Sequence, residues 1–304
     1  MKQPVRLPAF AKINLCLHVV GQFPDGYHEL RTIFQSISLH DSLELKLSTQ
    51  KEISLEVDTL ALPADSRNLV WRALDALRQE LGLRQGVHAK LTKRIPVARG
   101  LGGGSSDAAA ALMGLLRLTR RQLPLPRLME IAAGLGADVP FFLFGGRALG
   151  VNRGDEIYPL PDALHRSILV VSPRDTGVST RDAYAWLDLG PAANSRQLTK
   201  PATTHRIWSF CALCWSRQNS GVPNDFEAAV FRRHPRLAKI KRTLLQGGAA
   251  EAALAGSGSA VFGVFRSPAQ ARRVAREFPK DQVFVARTLS REDYRRAMLQ
   301  RAVV

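Results

Sequence analysis

A run of glycines ending in two serines and an aspartate, RGLGGGSSD at residues 99–107, has the clearest chemistry in this sequence. Glycines let the backbone adopt positive φ angles and let its amide groups approach a ligand without side chains in the way. The alanine-rich run that follows predicts a helix, whose N-terminal N–H groups and dipole would point at the same ligand. The loop therefore predicts a phosphate site, where Ser105 and Ser106 could bond a phosphate oxygen or a metal ion.

Two better-known phosphate loops do not fit this stretch. A Walker A loop places a lysine after its last glycine, and no lysine follows Gly104. A dinucleotide fingerprint requires glycine or alanine at its final position, where Ser105 stands. A plain flexible turn before a helix is the simpler alternative, but four glycines among residues 100–104 exceed what a helix start requires.

The segment FAKINLCLHV at residues 10–19 has the period of two that predicts a strand. Lys12 and Asn14 share one face of it, beside residues that would enter a core. An ammonium group so close to a core costs free energy unless it is paired or has a function. The opposite face is apolar and consists of Ala11, Ile13, Leu15, Leu17 and Val19.

The chain has 304 residues, 45% hydrophobic and 23% charged, which is typical of a globular protein with room for two domains. Its longest apolar run, at 108–116, is shorter than the roughly 20 residues of a membrane span. The N-terminus carries no apolar leader pattern, so we expect a cytoplasmic protein without a membrane partner.

A net charge of +17 is the strongest signal in the composition. It suits either nucleic acid or a phosphorylated substrate, and it does not decide between them, because the arginines are scattered rather than gathered in one stripe. Cys211 and Cys214 form a lone CxxC without further zinc ligands at a regular spacing, so we expect reduced thiols there. The role of the surrounding stretch, 190–222, stays open.

The remaining patterns predict strands and helices in an α+β order. We expect a helix at 66–81, capped by Ser66, a turn through 21–31, and a turn followed by a strand over 137–150. Asn224 and Glu227 predict a capping box. The proline-rich segment 158–166 predicts a boundary between domains at 1–160 and 161–304. The other predicted strands are 42–48, 53–57, 87–93, 167–172, 260–265 and 283–287, and the other predicted helices are 126–135, one capped by Ser179 or Thr180, one ending at His234, one opened by Pro235, and 269–277.

The motif P-x-x-x-G-L-G-G-G-S-S-D resembles the phosphate loop of the superfamily of galactokinase, homoserine kinase, mevalonate kinase and phosphomevalonate kinase, the GHMP kinases. LAGSGSAVFGVF at 254–265 resembles the late glycine motif of that superfamily. AKINLCL, DGYHEL, GADVPFF and NDFE resemble one branch of it, which phosphorylates a cytidine-diphosphate-linked polyol of the non-mevalonate isoprenoid pathway. The resemblance implies a two-domain GHMP kinase fold, with a ribosomal S5 domain 2-like N-terminal domain and a ferredoxin-like C-terminal domain.

The resemblance also implies roles for individual residues. Lys12 and Asp138 would be the catalytic pair, in which the carboxylate accepts the proton of the attacking hydroxyl and the lysine offsets charge on the phosphoryl group. The ATP phosphates would bind to Gly100, Leu101, Gly102, Gly103, Gly104, Ser105 and Ser106. Substrate contacts would come from Asn14, Tyr27, His28, Thr180 and Tyr184, and the late glycine loop from Gly256, Ser257 and Gly258.

Several alternatives stay open at this point. Lys12 and Asp138 could be a structural ion pair, Asp138 could cap a turn, and Tyr184 could be a core residue of its helix. Arg99 stands where relatives commonly have a small residue, and it could face a phosphate or solvent.

The function expected from the resemblance is ATP-dependent phosphorylation of the polyol 2-hydroxyl with Mg²⁺, whose protein ligands the sequence does not reveal. A homoserine or mevalonate kinase is the nearest alternative. A basic nucleic-acid-binding protein is a more distant one, and we expect no nucleic-acid partner. The sequence does not predict an oligomeric state.

Overall fold

The structure is a computed structural model that describes residues 3–188 and 222–299. Its first half is built on a six-stranded sheet in which the long strands β1 and β2 form an antiparallel hairpin. β2 pairs with β4 at one end and with β5 at the other, β3 adds to β4 in parallel, and β6 pairs with β5. The strands are β1 Val5–Gln22, β2 His28–Ser48, β3 Ile53–Val57, β4 Gly86–Thr92, β5 Arg147–Val151 and β6 Glu156–Pro159.

Four helices accompany this sheet: α1 Leu69–Glu80, α2 Gly103–Thr119, α3 Leu125–Leu135 and α4 Val139–Phe144. The alanines of α2 are buried, which lets the helix pack closely against β1 and β2. Gly114 shows how close that contact is, since a Cβ there would lie 2.6 Å from Leu45 Cδ1. The tight packing fixes the start of α2, and with it the glycine loop.

A four-stranded antiparallel sheet in the order β10-β7-β9-β8 forms the second half. Two strand–helix–strand connections surround the β8–β9 hairpin, which gives the ferredoxin-like arrangement and confirms that expectation. The elements are β7 Ser167–Ser172, α5 Thr180–Asp188, α6 Phe226–Arg233, α7 Pro235–Gln246, β8 Glu251–Leu254, β9 Val261–Phe265, α8 Pro268–Ala275 and β10 Gln282–Arg287.

Apolar side chains from both sheets form one shared cluster between them. Ile13 of β1 and Ile37 of β2 lie in it together with Ile168 of β7 and Phe262 of β9, all fully buried. A last helix, α9 Arg291–Leu299, leaves the second sheet and packs Tyr294 into the core of the first. The two sheets are therefore connected in two places, by the shared apolar cluster and by α9. The domain boundary at 160/161 stays a prediction.

Local predictions were wrong at several chain turns. The first predicted turn is shorter, because β2 begins at His28. α1 begins at Leu69, because Asn68 rather than Ser66 accepts the Val70 N–H at 2.9 Å. The segment predicted as a turn before β5 contains α4. Glu227 forms no capping box, since its carboxylate accepts the Leu254 N–H at 2.9 Å and pairs with Lys241 at 2.6 Å.

The predicted strand 42–48 is only the last third of β2, which begins at His28. The other strand and helix predictions are confirmed within about five residues of their bounds, and Ser179 caps α5 by accepting the Asp182 N–H at 3.0 Å. No helix in the described ranges is long and apolar enough to cross a membrane. The CxxC segment, with Cys211 and Cys214, lies outside the described residues.

Candidate active site

Strand β1 presents Lys12 to a cavity that is also lined by the glycine loop, by α5 and by the late glycine loop. Its ammonium lies 3.5 Å from the nearer carboxylate oxygen of Asp138 and 2.9 Å from Asn14 Oδ1. The lysine residue is 4% exposed, whereas one third of the Asp138 side chain is exposed. The buried ammonium is therefore compensated, and the carboxylate beside it stays accessible to a substrate.

Asn14 is itself fixed by its neighbours on the same strand pair. It donates to Thr32 Oγ1 at 2.7 Å, and that hydroxyl donates to the Cys16 carbonyl at 2.7 Å. All of these groups are buried. This chain of hydrogen bonds orients Asn14 Oδ1 toward Lys12, so the position of the ammonium is set by the sheet.

Asp138 is placed by the start of α4. It is the residue before the first helical turn, and no backbone N–H is capped by its side chain. The hypothesis that Asp138 caps a turn is therefore wrong. Its carboxylate instead lines the cavity.

The glycine loop adopts the conformation that its composition predicts. Gly100 and Gly102 have φ angles of 78° and 70°, and α2 begins at Gly103. A Cβ on Gly102 would lie 2.7 Å from Phe142 and 3.0 Å from Lys12 Cγ, so only glycine fits there. The Lys12 N–H also bonds the Leu101 carbonyl at 3.0 Å, which fastens the loop to β1. The first N–H groups of α2 lack helical partners, so they are available to bind an anion.

A buried cluster of charges lies under the first turn of α2. Lys93 pairs with Asp41 and, at 2.6 Å, with Asp107, and all three side chains are nearly inaccessible. Burial and the neighbouring Asp41 raise the pKa of Asp107 to about 8, against the attraction of Lys93. Although burial opposes it, the two carboxylates hold the pKa of Lys93 above its usual value. A Cβ on Gly103 would lie 3.3 Å from Lys93 Nζ, so this cluster supports the loop directly.

The late glycine loop closes the other side. Asn224 donates to the carbonyls of Leu254 and Gly256 at 2.9 and 2.8 Å, and Ser257 Oγ lies 3.2 Å from Thr180 Oγ1. A Cβ on Gly256 would lie 3.3 Å from the Lys12 ammonium. The two glycine loops therefore meet at Lys12.

Two cavities share this site. The loop cavity, of about 330 Å³, lies along the glycine loop, and the side cavity, of about 990 Å³, opens next to it. Asp138, Ser105, Thr180 and Tyr184 line both cavities. A group bound along the glycine loop and a group bound in the side cavity would consequently meet at Asp138.

The side cavity holds the aromatic residues expected to bind a base. His28 stacks on Tyr184 with ring centroids 4.5 Å apart, and its Nε2 lies 2.8 Å from Asp188 Oδ1. Tyr27 is 59% exposed and lies under the guanidinium of Arg153 at 4.2 Å. Burial and the nearby carboxylates of Asp138 and Asp188 raise the pKa of Tyr184, so its hydroxyl stays protonated.

Most of the predicted site residues line one or both cavities, and two stand apart. Ser106 is buried behind the loop, where its hydroxyl has no partner among the described residues. Gly258 does not line either cavity. Sequence reasoning missed Thr32, Lys93 and Phe226 in the lining. Thr32 lies on the alternating segment paired with β1, which is the signal that could have revealed it.

No group of three His, Cys, Asp or Glu side chains within residues 3–188 and 222–299 is arranged to hold a metal ion. The hydroxyl of Ser105 at the cavity and the carboxylate of Asp138 are hard oxygen donors of the kind that Mg²⁺ accepts. These two side chains would suit a cation whose ligands are mainly the phosphate oxygens of a nucleotide.

The chain matches two family models. The model of the GHMP kinases N terminal domain covers residues 68–146, and that of the GHMP kinases C terminal covers residues 210–283. A 4-diphosphocytidyl-2-C-methyl-D-erythritol kinase from Solibacter usitatus (strain Ellin6076) is 45% identical, over 98% of this chain and 92% of the relative. A relative of the same name from Pelotomaculum thermopropionicum (strain DSM 13744 / JCM 10971 / SI) is 40% identical over 93% and 97%.

Solved structures agree with the sequence relatives. A crystal structure of a 4-(cytidine 5′-diphospho)-2C-methyl-D-erythritol kinase superposes with a TM-score of 0.74 at 32% identity, covering 93% of this chain and 98% of the other. A homoserine kinase from Cytophaga hutchinsonii ATCC 33406 shares only 20% identity, over 95% of this chain and 96% of the other, with a TM-score of 0.68. That second likeness shows the fold alone.

Proposed function

The chain belongs to the GHMP kinases and, within them, to the family of 4-diphosphocytidyl-2-C-methyl-D-erythritol kinases, and we propose that its loop cavity and side cavity carry out that reaction. It is an ATP-dependent small-molecule kinase. It transfers the γ-phosphoryl group to the 2-hydroxyl of 4-diphosphocytidyl-2-C-methyl-D-erythritol. The observation that carries the site assignment is that Asp138 lines both cavities with the Lys12 ammonium 3.5 Å away.

The geometry supports a role for each part of the site. The phosphates of ATP lie along residues 100–106, where the start of α2 supplies N–H donors. Asp138 accepts the proton of the attacking hydroxyl, and Lys12 offsets charge that builds on the transferred phosphoryl group. Because Asn14 holds the ammonium by one hydrogen bond, Lys12 is oriented before substrate arrives.

The cytidine moiety is assigned to the side cavity. Tyr184 and Tyr27 offer ring faces there, and base–aromatic stacking contributes about 1–3 kcal/mol per base. His28 offers Nδ1 for the base edge, while the contact of its Nε2 with Asp188 fixes the ring orientation. Because His28 and Tyr184 already stack on each other, a base entering between them would have to displace one ring, and stacking on the open face of Tyr27 requires no such change.

Mg²⁺, when bound, neutralises charge on the β- and γ-phosphates. We assign it to the nucleotide near Ser105, whose hydroxyl reaches the loop cavity, and Ser106 is buried behind the loop. We also propose that the enzyme works in the cytoplasm, where ATP is available, and cell fractionation tests this. The net charge of +17 suits a site that holds a diphosphate and a triphosphate together.

The experiment is a substrate panel with the purified protein, ATP and Mg²⁺. We expect phosphorylation of 4-diphosphocytidyl-2-C-methyl-D-erythritol and no turnover of mevalonate or homoserine, with the product's phosphate at the 2-position by ³¹P NMR. Turnover of mevalonate or homoserine in place of the cytidine substrate would still be GHMP-kinase chemistry. It would refute the assignment of the cytidine moiety to the side cavity.

A further inference from the structure

Arg99 precedes the glycine loop and contacts the second half of the chain at three points. Its guanidinium Nη1 donates to the Thr176 carbonyl and, at 2.6 Å, to Ser259 Oγ. Its backbone carbonyl accepts the Ala260 N–H at 3.2 Å. From the sequence we expected this side chain to face either a phosphate or solvent. Neither expectation included these contacts with the second half of the chain.

The partners of Arg99 are connected to one another. Ser259 Oγ donates to the same Thr176 carbonyl at 2.6 Å, so the three residues form a closed set of hydrogen bonds. Next to them the two glycine loops touch, because a Cβ on Gly100 would lie 1.8 Å from the Ala255 carbonyl oxygen. The set therefore sits at the contact between the two loops.

Thr176 extends this connection to the substrate side. It lies in the segment between β7 and α5, and α5 begins at Thr180 and carries Tyr184 into both cavities. Thr180 also lies 3.2 Å from Ser257 of the late loop. One arginine thus touches the phosphate loop, the late glycine loop and the approach to α5.

We propose that Arg99 is a positioning residue that holds these three segments in the arrangement in which phosphoryl donor and hydroxyl meet at Asp138. The proposal rests on the proposed function. Both hydrogens of Nη1 go to protein acceptors, so this nitrogen is engaged in the contacts between the loops, although Arg99 also lines the loop cavity. The role assigned to the residue is to fix the geometry of the loops, and the Kd for ADP distinguishes that role from a phosphate contact. The planar guanidinium holds the two N–H groups of Nη1 in fixed directions, whereas the flexible lysine side chain and its rotating ammonium do not.

The test is a double-mutant cycle with Arg99→Ala, Ser259→Ala and the double variant, in the full-length protein. Arg99→Ala should lower kcat by about tenfold or more, since a misplacement of reacting groups by about 1 Å costs even more. Its Kd for ADP, measured by calorimetry, should stay within about threefold of wild type, because the N–H groups of α2 remain. Arg99→Lys should not restore kcat.

In the Ser259→Ala background, Arg99→Ala should cost at least about threefold less in kcat than in wild type, because residues in contact are coupled. Equal factors in both backgrounds would overturn the proposal. So would an ADP Kd raised about tenfold or more by Arg99→Ala with kcat intact at saturating ATP, since that result is the mark of a phosphate contact. Arg94→Ala, which removes an exposed arginine on the same approach to the loop, is the control for charge alone.

Failure of the proposed function would be recognised separately. If the wild-type protein phosphorylates none of the alcohols in the panel, the substrate assignment fails. The double-mutant cycle can then be carried out with Tm as the measured quantity, from thermal unfolding of the ligand-free protein. Coupling between Arg99 and Ser259 in Tm would still support the contact, and additive shifts in Tm would overturn it.

Discussion

Replacing Gly100 with alanine should disrupt the glycine loop, because two features of the structure exclude a side chain there. The φ angle of 78° lies in the left-handed region, and a Cβ would lie 1.8 Å from the Ala255 carbonyl oxygen. The left-handed conformation costs a non-glycine residue roughly 1–2 kcal/mol. Overpacking typically adds about 1–3 kcal/mol. The free energy of unfolding should therefore fall by about 2–5 kcal/mol.

The assay is thermal or urea unfolding together with steady-state kinetics. Tm should fall by roughly 5–10 °C. The value of kcat/KM should fall by about 100-fold or more, because the loop has to move relative to Lys12. Gly104→Ala is the matched control in the same loop, since its φ is not positive and the nearest atom to the new Cβ is Leu69 Cδ1 at 3.6 Å. Equal stability of the two variants would refute the reasoning from loop geometry.

Three further predictions concern the charge cluster, the base site and the basic surface. In Asp107→Asn the stability should fall less with rising pH than in wild type. Burial raises the pKa of Asp107, so its contribution is complete at acidic pH and is lost as the pH rises toward that raised pKa. Urea unfolding at pH 6 and pH 8 checks this, and equal slopes for both proteins would contradict it. Tyr27→Ala should raise KM for the cytidine substrate by about 10- to 100-fold with KM for ATP nearly unchanged, because stacking contributes about 1–3 kcal/mol and Tyr27 lines only the side cavity. An equal rise in both KM values would contradict this. Bulk RNA should bind only weakly and should not compete with ATP, as filter binding at several salt concentrations can establish, whereas tight binding with a steep salt slope would favour a nucleic-acid partner.

The sequence predicted most of the fold where local patterns determine structure. Period-two alternation located β1, and glycines located the loop before α2. The errors arose where a tertiary contact outweighed a local signal. Asn68 caps α1 because its side chain also donates to the Pro63 carbonyl at 2.8 Å, an anchor that Ser66 lacks. Glu227 binds Lys241 and Leu254, which lie close only after the second sheet has formed.

The candidate site was likewise predicted where local motifs mark it and was missed where only the tertiary structure brings its residues together. Lys12, Asp138 and the glycine loop carry motifs that could be recognised, and the structure brings them together. The cluster of Asp41, Lys93 and Asp107 could not be predicted, because its members come from β2, the segment after β4 and α2, and no local pattern joins them. Arg99 is a similar case, since its partners lie far along the chain.

Asp138→Asn tests the central claim, that Asp138 takes the proton of the substrate hydroxyl, most directly. The amide keeps nearly the same shape beside Lys12 but cannot accept that proton as a base. We predict that kcat for 4-diphosphocytidyl-2-C-methyl-D-erythritol falls by about 10²–10⁴-fold, while calorimetry shows ADP binding close to wild type. A variant that binds ADP normally and retains kcat within about threefold of wild type would contradict the account, since general-base catalysis is worth far more than that.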